Sequence, residues 1–263
     1  MPDRTHSTTS QLTRAMGLWD VVLLNVVAIV GLRWLLTAAQ IGPESIMLWF
    51  LALAIFFIPQ GLAVSELSAH YPEEGGIYAW TKRAFGPSHG FVAGWCYWVN
   101  NLIYYPSLLI FLAGNAIFIA GGQSTGLAEN KIYIALFSIG VLWLAMILNM
   151  IGLRTGKWVQ NTGAIGNWLP AMVLIVLGVI AGFKFGSNTE FTFTNIFPDL
   201  GTFGTISFFA TMCFGFAGLE LASVMGEEIE DTQRTIPRAI VISGFIITAI
   251  YILGTGAMLV VLP

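Results

Sequence analysis

An arginine lies in the middle of the first apolar stretch of the chain. The stretch runs from about residue 16 to residue 39, and Arg33 stands in it within the segment Val30-Gly31-Leu32-Arg33-Trp34. An arginine at the centre of a membrane helix costs about 2.5–3.5 kcal/mol on insertion scales, so it usually faces a cavity, a counter-charge or a substrate. The segment therefore predicts a broken membrane helix that handles a charged group.

A second interruption occurs in the sixth apolar stretch, at Cys213-Phe214-Gly215-Phe216-Ala217-Gly218-Leu219-Glu220. Small residues are common in membrane helices because they let backbones approach closely, so Gly215 and Gly218 alone do not decide between packing and function. Glu220 adds a carboxylate at mid-depth, which is costly unless it is paired or functional. We therefore predict a second break here.

The two interruptions lie in spans that run in opposite directions, because five spans separate the start of the first from the start of the sixth. Broken helices in corresponding positions of inverted repeats indicate the binding site of a secondary transporter. Their half-helix N-termini suit an anion such as a carboxylate, and their unwound carbonyls suit an ammonium group. Together they match a zwitterion.

Arg33 has three possible roles at such a site. It forms an internal ion pair with Glu220, it binds an anionic group of the substrate, or it faces an intracellular vestibule. A buried pair often contributes little net stability, but losing one partner is costly.

These residues belong to a chain with the composition of an integral membrane protein. Of its 263 residues, 56% are hydrophobic and 10% are charged, and the mean hydropathy of +0.79 exceeds that of ordinary soluble domains. A helix needs about 20 mostly apolar residues to cross the hydrocarbon core. The stretches that meet this length are 16–40, 45–66, 90–120, 132–152, 162–183, 202–225 and 239–262.

The basic residues outside these spans fall mainly on one side. Of the 11 Lys and Arg residues, eight lie in the N-terminal tail and in the loops after the second, fourth and sixth spans. Lys131 and Lys184 lie on the other side, and Arg33 lies within the membrane. The positive-inside rule then predicts a multi-pass protein of the cytoplasmic membrane whose N-terminus is cytoplasmic.

Other kinds of chemistry have little support. His6, His70 and His89 are dispersed, so no metal site is expected. No Gly-rich phosphate-binding loop is present, and we expect no enzyme activity, no cofactor and no nucleic-acid partner. A heptahelical receptor or light sensor is an alternative on the span count, but the last span lacks the lysine that a retinal Schiff base needs.

Three further segments have a distinctive pattern. They are Tyr71–Trp80 with Ala84–Pro87 and Gly90–Trp95, Glu227–Arg238, and Ile58–Ala63. The first resembles the first cytoplasmic loop of amino acid permeases of the amino acid-polyamine-organocation (APC) superfamily, and the second resembles the loop after their sixth helix. The third is similar to the second helix of glutamate/GABA-antiporter-like members. The resemblance covers residues 16–263.

The resemblance implies an all-α membrane fold of the LeuT-like inverted-repeat type, incomplete here. In that fold, ten of twelve helices form two inverted five-helix repeats around a site between helices one, three, six and eight. It implies that Phe214 is an aromatic gate, that Glu220 serves pH response or proton coupling, and that Tyr105 lies near a substrate contact. The predicted substrate-binding residues are Val30, Gly31, Leu32, Arg33, Tyr105, Phe214, Gly215, Phe216, Ala217 and Gly218. The Gly31-Leu32-Arg33 segment departs from the Gly-x-Gly turn of many relatives.

The predicted domains are a cytoplasmic tail 1–15, a first repeat 16–183, an outer loop 184–201, and two helices of the second repeat, 202–263. The chain stops where the seventh span should emerge, so we expect a truncated permease, and an inactive fragment is an alternative. The predicted function is secondary active transport of an amino acid or related amine by alternating access. The expected partners are that substrate, the lipid bilayer, and a coupling ion or proton.

Overall fold

The chain is almost entirely helical in a computed structural model that describes residues 16–119, 126–150 and 153–261. The predicted cytoplasmic tail, 1–15, lies outside the described residues. The helices before residue 120 are α1 Leu18–Ile29, α2 Leu32–Ile41, α3 Glu44–Ala52, α4 Ile58–His70, α5 Ile77–Phe85 and α6 Pro87–Ile119. Those after residue 130 are α7 Lys131–Met150, α8 Leu153–Phe185, α9 Phe193–Ile196, α10 Phe203–Gly215, α11 Leu221–Val224 and α12 Thr232–Val261.

The membrane-spanning helices match the predicted spans, with two interruptions. Within the described ranges, five helices are long and apolar enough to cross a membrane, or six if α1 and α2 count as one span bent by 48°. The pair α3 and α4 is one of the five, because a π-helical turn, Leu53–Phe57, makes Glu44–His70 continuous. The predicted span 202–225 is not one helix: it consists of α10, a non-helical segment and the short α11. The all-α membrane fold is confirmed, and both breaks occur where the sequence predicts them.

Two helices extend beyond their predicted spans. Helix α8 begins at Leu153 rather than near residue 162, and α12 begins at Thr232 rather than near residue 239. Both added segments carry basic residues. Hydropathy detects only the part of a helix that crosses hydrocarbon, so the polar turns outside it are missed.

The chain divides into two compact units. The second unit is Thr81–Gly163, and the first comprises the described residues up to Trp80 and from Ala164 onward. In the first unit, α12 is the central helix and packs against α1, α2, α3 and α4. Half of the apolar window of α12 is buried, so this helix organises the core of the unit. In the second unit, α6 packs against α7.

Loop segments of the first unit meet at one end of its helices. A Cβ added at Gly226 would lie 2.7 Å from the carbonyl oxygen of Pro72, so the two backbones are in close contact. Met16, just before α1, pairs with the loop after α11: its N–H donates to Glu228 O at 3.1 Å, and its carbonyl accepts from Glu230 N at 3.0 Å. The segments around residues 72 and 226, far apart in sequence, therefore pack against each other.

Candidate functional site

The first break consists of two extended residues between α1 and α2. Val30 has ψ 122°, and Gly31 has φ −137° and ψ 128°, so neither continues the helix. The last helical bond of α1 runs from Val30 N to Val26 O at 2.8 Å. The carbonyls of Ile29 and Val30 are therefore left without the intrahelical donors that they would have in an unbroken span.

The second break begins where α10 ends at Gly215. The chain tightens into two short turns, in which Phe216 N donates to Cys213 O at 3.0 Å and Ala217 N donates to Phe214 O at 3.1 Å. It then turns at Gly218, whose φ of +125° is a conformation that L side chains rarely adopt. The carbonyl of Gly215 is thereby left at the end of a helix, like that of Ile29.

The two breaks are in direct contact. A Cβ added at Gly218 would lie 3.1 Å from Cγ1 of Ile29, at the end of α1. On the other side of the contact, the Trp34 ring of α2 meets the Phe214 ring of α10 edge to face, with centroids 5.7 Å apart. The structure therefore brings together the two segments that the sequence singled out.

Side chains from other helices bind the carbonyls that the breaks expose. The hydroxyl of Tyr251, on α12, lies 2.7 Å from Ile29 O and 2.8 Å from Gly215 O. Nδ2 of Asn167, on α8, donates to Val30 O at 2.5 Å. Both breaks are thus stabilised by polar groups on neighbouring helices, as buried carbonyls require.

An aromatic cluster fixes Tyr251 from the side. Its ring stacks on Trp49 with centroids 4.3 Å apart, and Phe216 meets Trp49 and Tyr251 edge to face at 5.3 and 5.4 Å. Nε1 of Trp49 donates to Oγ1 of Thr255, one turn further along α12, at 3.1 Å. Phe216 and Tyr251 are fully buried, so this side of the site is closely packed.

The predicted charged residues have neighbours of their own. The guanidinium carbon of Arg33 lies 4.4 Å from the centroid of the Trp34 ring, a cation–π distance. Oε2 of Glu220 accepts a hydrogen bond from Nε2 of Gln60, on α4, at 3.4 Å. Both charged side chains are half-buried. The pairing of Arg33 with Glu220 stays a prediction.

The remaining predicted residues differ in how exposed they are and in which of the two units contains them. Phe214 is 47% exposed, whereas Phe216 has no exposed surface. Tyr105 lies on α6 in the second unit and is exposed, so its place at the site stays a prediction.

Sequence reasoning missed three polar residues that touch the breaks. They are Gln60, Asn167 and Tyr251, and each lies within an apolar span. The signal was present for the two amides, since polar groups inside a membrane segment are costly and usually have a role. Tyr251 gave a weaker signal, because a tyrosine in an apolar helix is usually a packing residue.

Comparison with known proteins identifies the family of the chain. A family model described as amino acid permease matches residues 16–263. The chain belongs to the amino acid permease family. The predicted membership of the APC superfamily is therefore confirmed. The family and the apolar helices together show that the chain is a multi-pass membrane protein.

The relatives of this permease chain are bacterial transporters. An uncharacterized transporter of Legionella pneumophila is 33% identical over 251 residues, which cover 95% of this chain and 53% of that protein. A probable agmatine/putrescine antiporter of Lactococcus lactis is 28% identical over a region that covers 86% of this chain and 47% of that protein. A serine/threonine exchanger of Bacillus subtilis is 27% identical, over 98% of this chain and 57% of its own. The chain spans about half the length of the curated relatives it matches.

Proposed function

We propose that the protein transports amino acids or related amines across the cytoplasmic membrane by alternating access, with the substrate bound where the two helix breaks meet. The observation that carries this proposal is the contact between the breaks, where one tyrosine hydroxyl reaches a terminal carbonyl of each. Broken helices that converge in this way are the usual binding architecture of secondary transporters.

The backbone of the two breaks offers complementary charges to a zwitterion. The N-terminus of α2 begins at Leu32 without a side-chain cap on its first N–H groups, so its positive dipole end is available to a carboxylate. The carbonyls of Ile29 and Gly215 supply the negative end. Each carbonyl oxygen has two lone pairs, so each can accept from an ammonium group in addition to Tyr251.

The site residues of the proposal are those that the sequence singled out, with their roles refined by burial. Phe214 acts as the gate, because its exposed ring contacts Trp34 across the breaks. Phe216 contributes its backbone rather than its side chain, which the aromatic cluster encloses. Tyr105 stays in the proposed site as a substrate contact from α6. The full set is Val30, Gly31, Leu32, Arg33, Tyr105, Phe214, Gly215, Phe216, Ala217 and Gly218.

Arg33 and Glu220 are the charged groups of the proposal. Either they pair and couple transport to a proton or ion, or Arg33 binds an anionic group of the substrate. A guanidinium held beside the first break favours a substrate that carries a carboxylate and disfavours a simple diamine. The names of two relatives cover both kinds of substrate. One names the amines agmatine and putrescine, and the other names the amino acids serine and threonine.

Exchange in proteoliposomes tests the proposal. The reconstituted protein is loaded with one unlabelled amino acid or polyamine at a time, and uptake of a labelled panel is measured across a wide pH range. We expect uptake of at least one amino acid or polyamine above that of empty liposomes. Lack of exchange for every amino acid and polyamine over that range would contradict the proposal.

A matched pair of variants then ties the activity to the breaks. Phe214→Ala removes the exposed ring at the second break, and Phe208→Ala removes an exposed ring from the same helix away from it. Since an aromatic pair contributes about 0.5–1.5 kcal/mol, we expect Phe214→Ala to lower uptake by up to about tenfold. Phe208→Ala should leave uptake close to that of the unmodified protein.

A further inference from the structure

We propose that Tyr251 is a positioning residue that holds the two helix breaks together and sets the spacing of their terminal carbonyls. The inference rests on the proposed function, because the two carbonyls are those that the proposal assigns to the amine of the substrate. Tyr251 itself lies outside the predicted substrate-binding set. It starts from the two distances of the hydroxyl, 2.7 Å to Ile29 O and 2.8 Å to Gly215 O.

One hydroxyl serves two acceptors that belong to different helices. A tyrosine has a single O–H proton, so it cannot give both carbonyls a full hydrogen bond at once. Both oxygens lie within hydrogen-bond distance of the same hydroxyl, and each belongs to the last residue of its helix, where the next intrahelical donor is missing. In a buried setting such a shared bond is strong, since little water competes for the acceptors. The hydroxyl therefore draws the ends of α1 and α10 to one point.

The position of that hydroxyl is fixed by α12. The Tyr251 ring is fully buried and stacks on Trp49, and Trp49 is held in turn by Thr255 of the same helix. Two edge-on contacts of Phe216 complete the enclosure. A displacement of α12 must therefore displace the two breaks together.

This geometry has a specific consequence for a bound amine. The carbonyls of Ile29 and Gly215 can bind one ammonium group only if their oxygens are close together, and Tyr251 supplies that constraint. Removing the hydroxyl while keeping the ring should therefore weaken substrate binding more than it slows the transport step. An effect on packing alone would change the amount of folded protein without selectively changing the apparent KM.

Tyr251→Phe tests the inference against a control on the same helix. Ser243→Ala serves as the control, because the Ser243 hydroxyl is buried on α12 and accepts from Nδ2 of Asn25 on α1 at 3.3 Å, away from the breaks. Each variant removes one buried hydroxyl between α12 and α1. In exchange assays we expect Tyr251→Phe to raise the apparent KM about tenfold, with a smaller change in the maximum rate. Ser243→Ala should keep the apparent KM within about twofold.

Hydrogen exchange of the purified protein provides a readout that needs no substrate. In Tyr251→Phe, the amides of segments 30–34 and 216–220 should both exchange about tenfold faster, since both breaks lose the same tether. Ser243→Ala should leave both segments unchanged. Faster exchange in only one segment, in neither, or equally in the control would overturn the inference, as would an unchanged KM in a protein that transports. If the unmodified protein transports nothing, the proposed function fails and hydrogen exchange alone decides the role of Tyr251.

Discussion

Arg33 is the residue that first indicated a site, and its surroundings show how a charge is accommodated in an apolar span. Its guanidinium lies over the face of Trp34, and the same ring meets Phe214 across the breaks. A guanidinium is planar and weakly hydrated, so an aromatic face offsets part of its desolvation. A lysine at this position would lose that stacking.

The first prediction concerns the proposed pairing of Arg33 with Glu220. If the two side chains pair during transport, Arg33→Ala and Glu220→Ala should each lower exchange by about tenfold or more, because removing one partner leaves the other uncompensated. The exchanged pair Arg33→Glu with Glu220→Arg should recover part of the activity. Initial rates of exchange, normalised to reconstituted protein, provide the measurement.

A double variant no better than either single variant would exclude the pairing and leave the substrate and vestibule roles of Arg33. Gln60 is the matched control position for that experiment, since it donates to Glu220 but carries no charge. Gln60→Ala combined with Arg33→Glu should show no recovery.

Among the helical elements, the breaks depend on backbone conformation as much as on side chains. Gly218 has a positive φ and lies against Ile29, so a side chain there meets both backbone strain and a close neighbour. Strained backbone of this kind costs about 1–3 kcal/mol for a residue other than glycine.

The second prediction follows from Gly218. Gly218→Ala should lower the free energy of unfolding by about 1–3 kcal/mol and disturb the contact between the breaks. Gly204→Ala is its control, because that glycine lies within α10 and an added Cβ there meets nothing within 4 Å. The control should be neutral or more stable by up to about 1 kcal/mol, since alanine favours helices. Thermal unfolding in detergent distinguishes the two, and equal melting temperatures would contradict the prediction.

The third prediction concerns the packing of α8 on α12. A Cβ at Gly178 would lie 2.6 Å from Cα of Ala257, so the two backbones approach as closely as small residues allow. Gly178→Ala should force the helices apart and destabilise the protein by about 1–3 kcal/mol, despite the better helix propensity of alanine.

Gly166→Ala on the same helix is the comparison, because an added Cβ there has no neighbour within 4 Å. The melting temperature should fall for Gly178→Ala and stay constant or rise for Gly166→Ala. The same rise in both variants would show that α8 and α12 are not packed so closely.

At the scale of the whole molecule, the orientation of the chain in the membrane is a prediction. The distribution of basic residues predicts a cytoplasmic N-terminus, and exposed basic side chains occur near the ends of α5 and α8. These two positions are predicted to lie on opposite sides of the bilayer.

The fourth prediction tests that direction by cysteine labelling in intact cells. Cys96 and Cys213 are first replaced by alanine, and single cysteines are introduced as Arg83→Cys and Lys184→Cys. A membrane-impermeant thiol reagent should label Lys184→Cys from outside and should label Arg83→Cys only after permeabilisation. The reverse pattern would show that the orientation is opposite to the one predicted.

The sequence by itself determined the class, the family and the places where helices break. Long apolar stretches fix a helical membrane protein because lipid offers no partner for backbone groups. Gly31 with Arg33, and Gly215 and Gly218 with Glu220, mark the interruptions because glycine and buried charge both weaken a membrane helix. The loop motifs around residues 71–80 and 227–238 identified the family, which the match over residues 16–263 confirmed.

Only the tertiary structure decided which groups stabilise those breaks. Tyr251 lies 36 residues from Gly215 and 222 from Ile29, yet its hydroxyl reaches both carbonyls. Asn167 and Gln60 likewise bind groups more than 100 residues away. Periodicity and composition describe one segment at a time, whereas a carbonyl freed by a break accepts from whichever donor the packing of other helices brings near it. The partners of the breaks are therefore a property of how α12, α8 and α4 pack around α1 and α10.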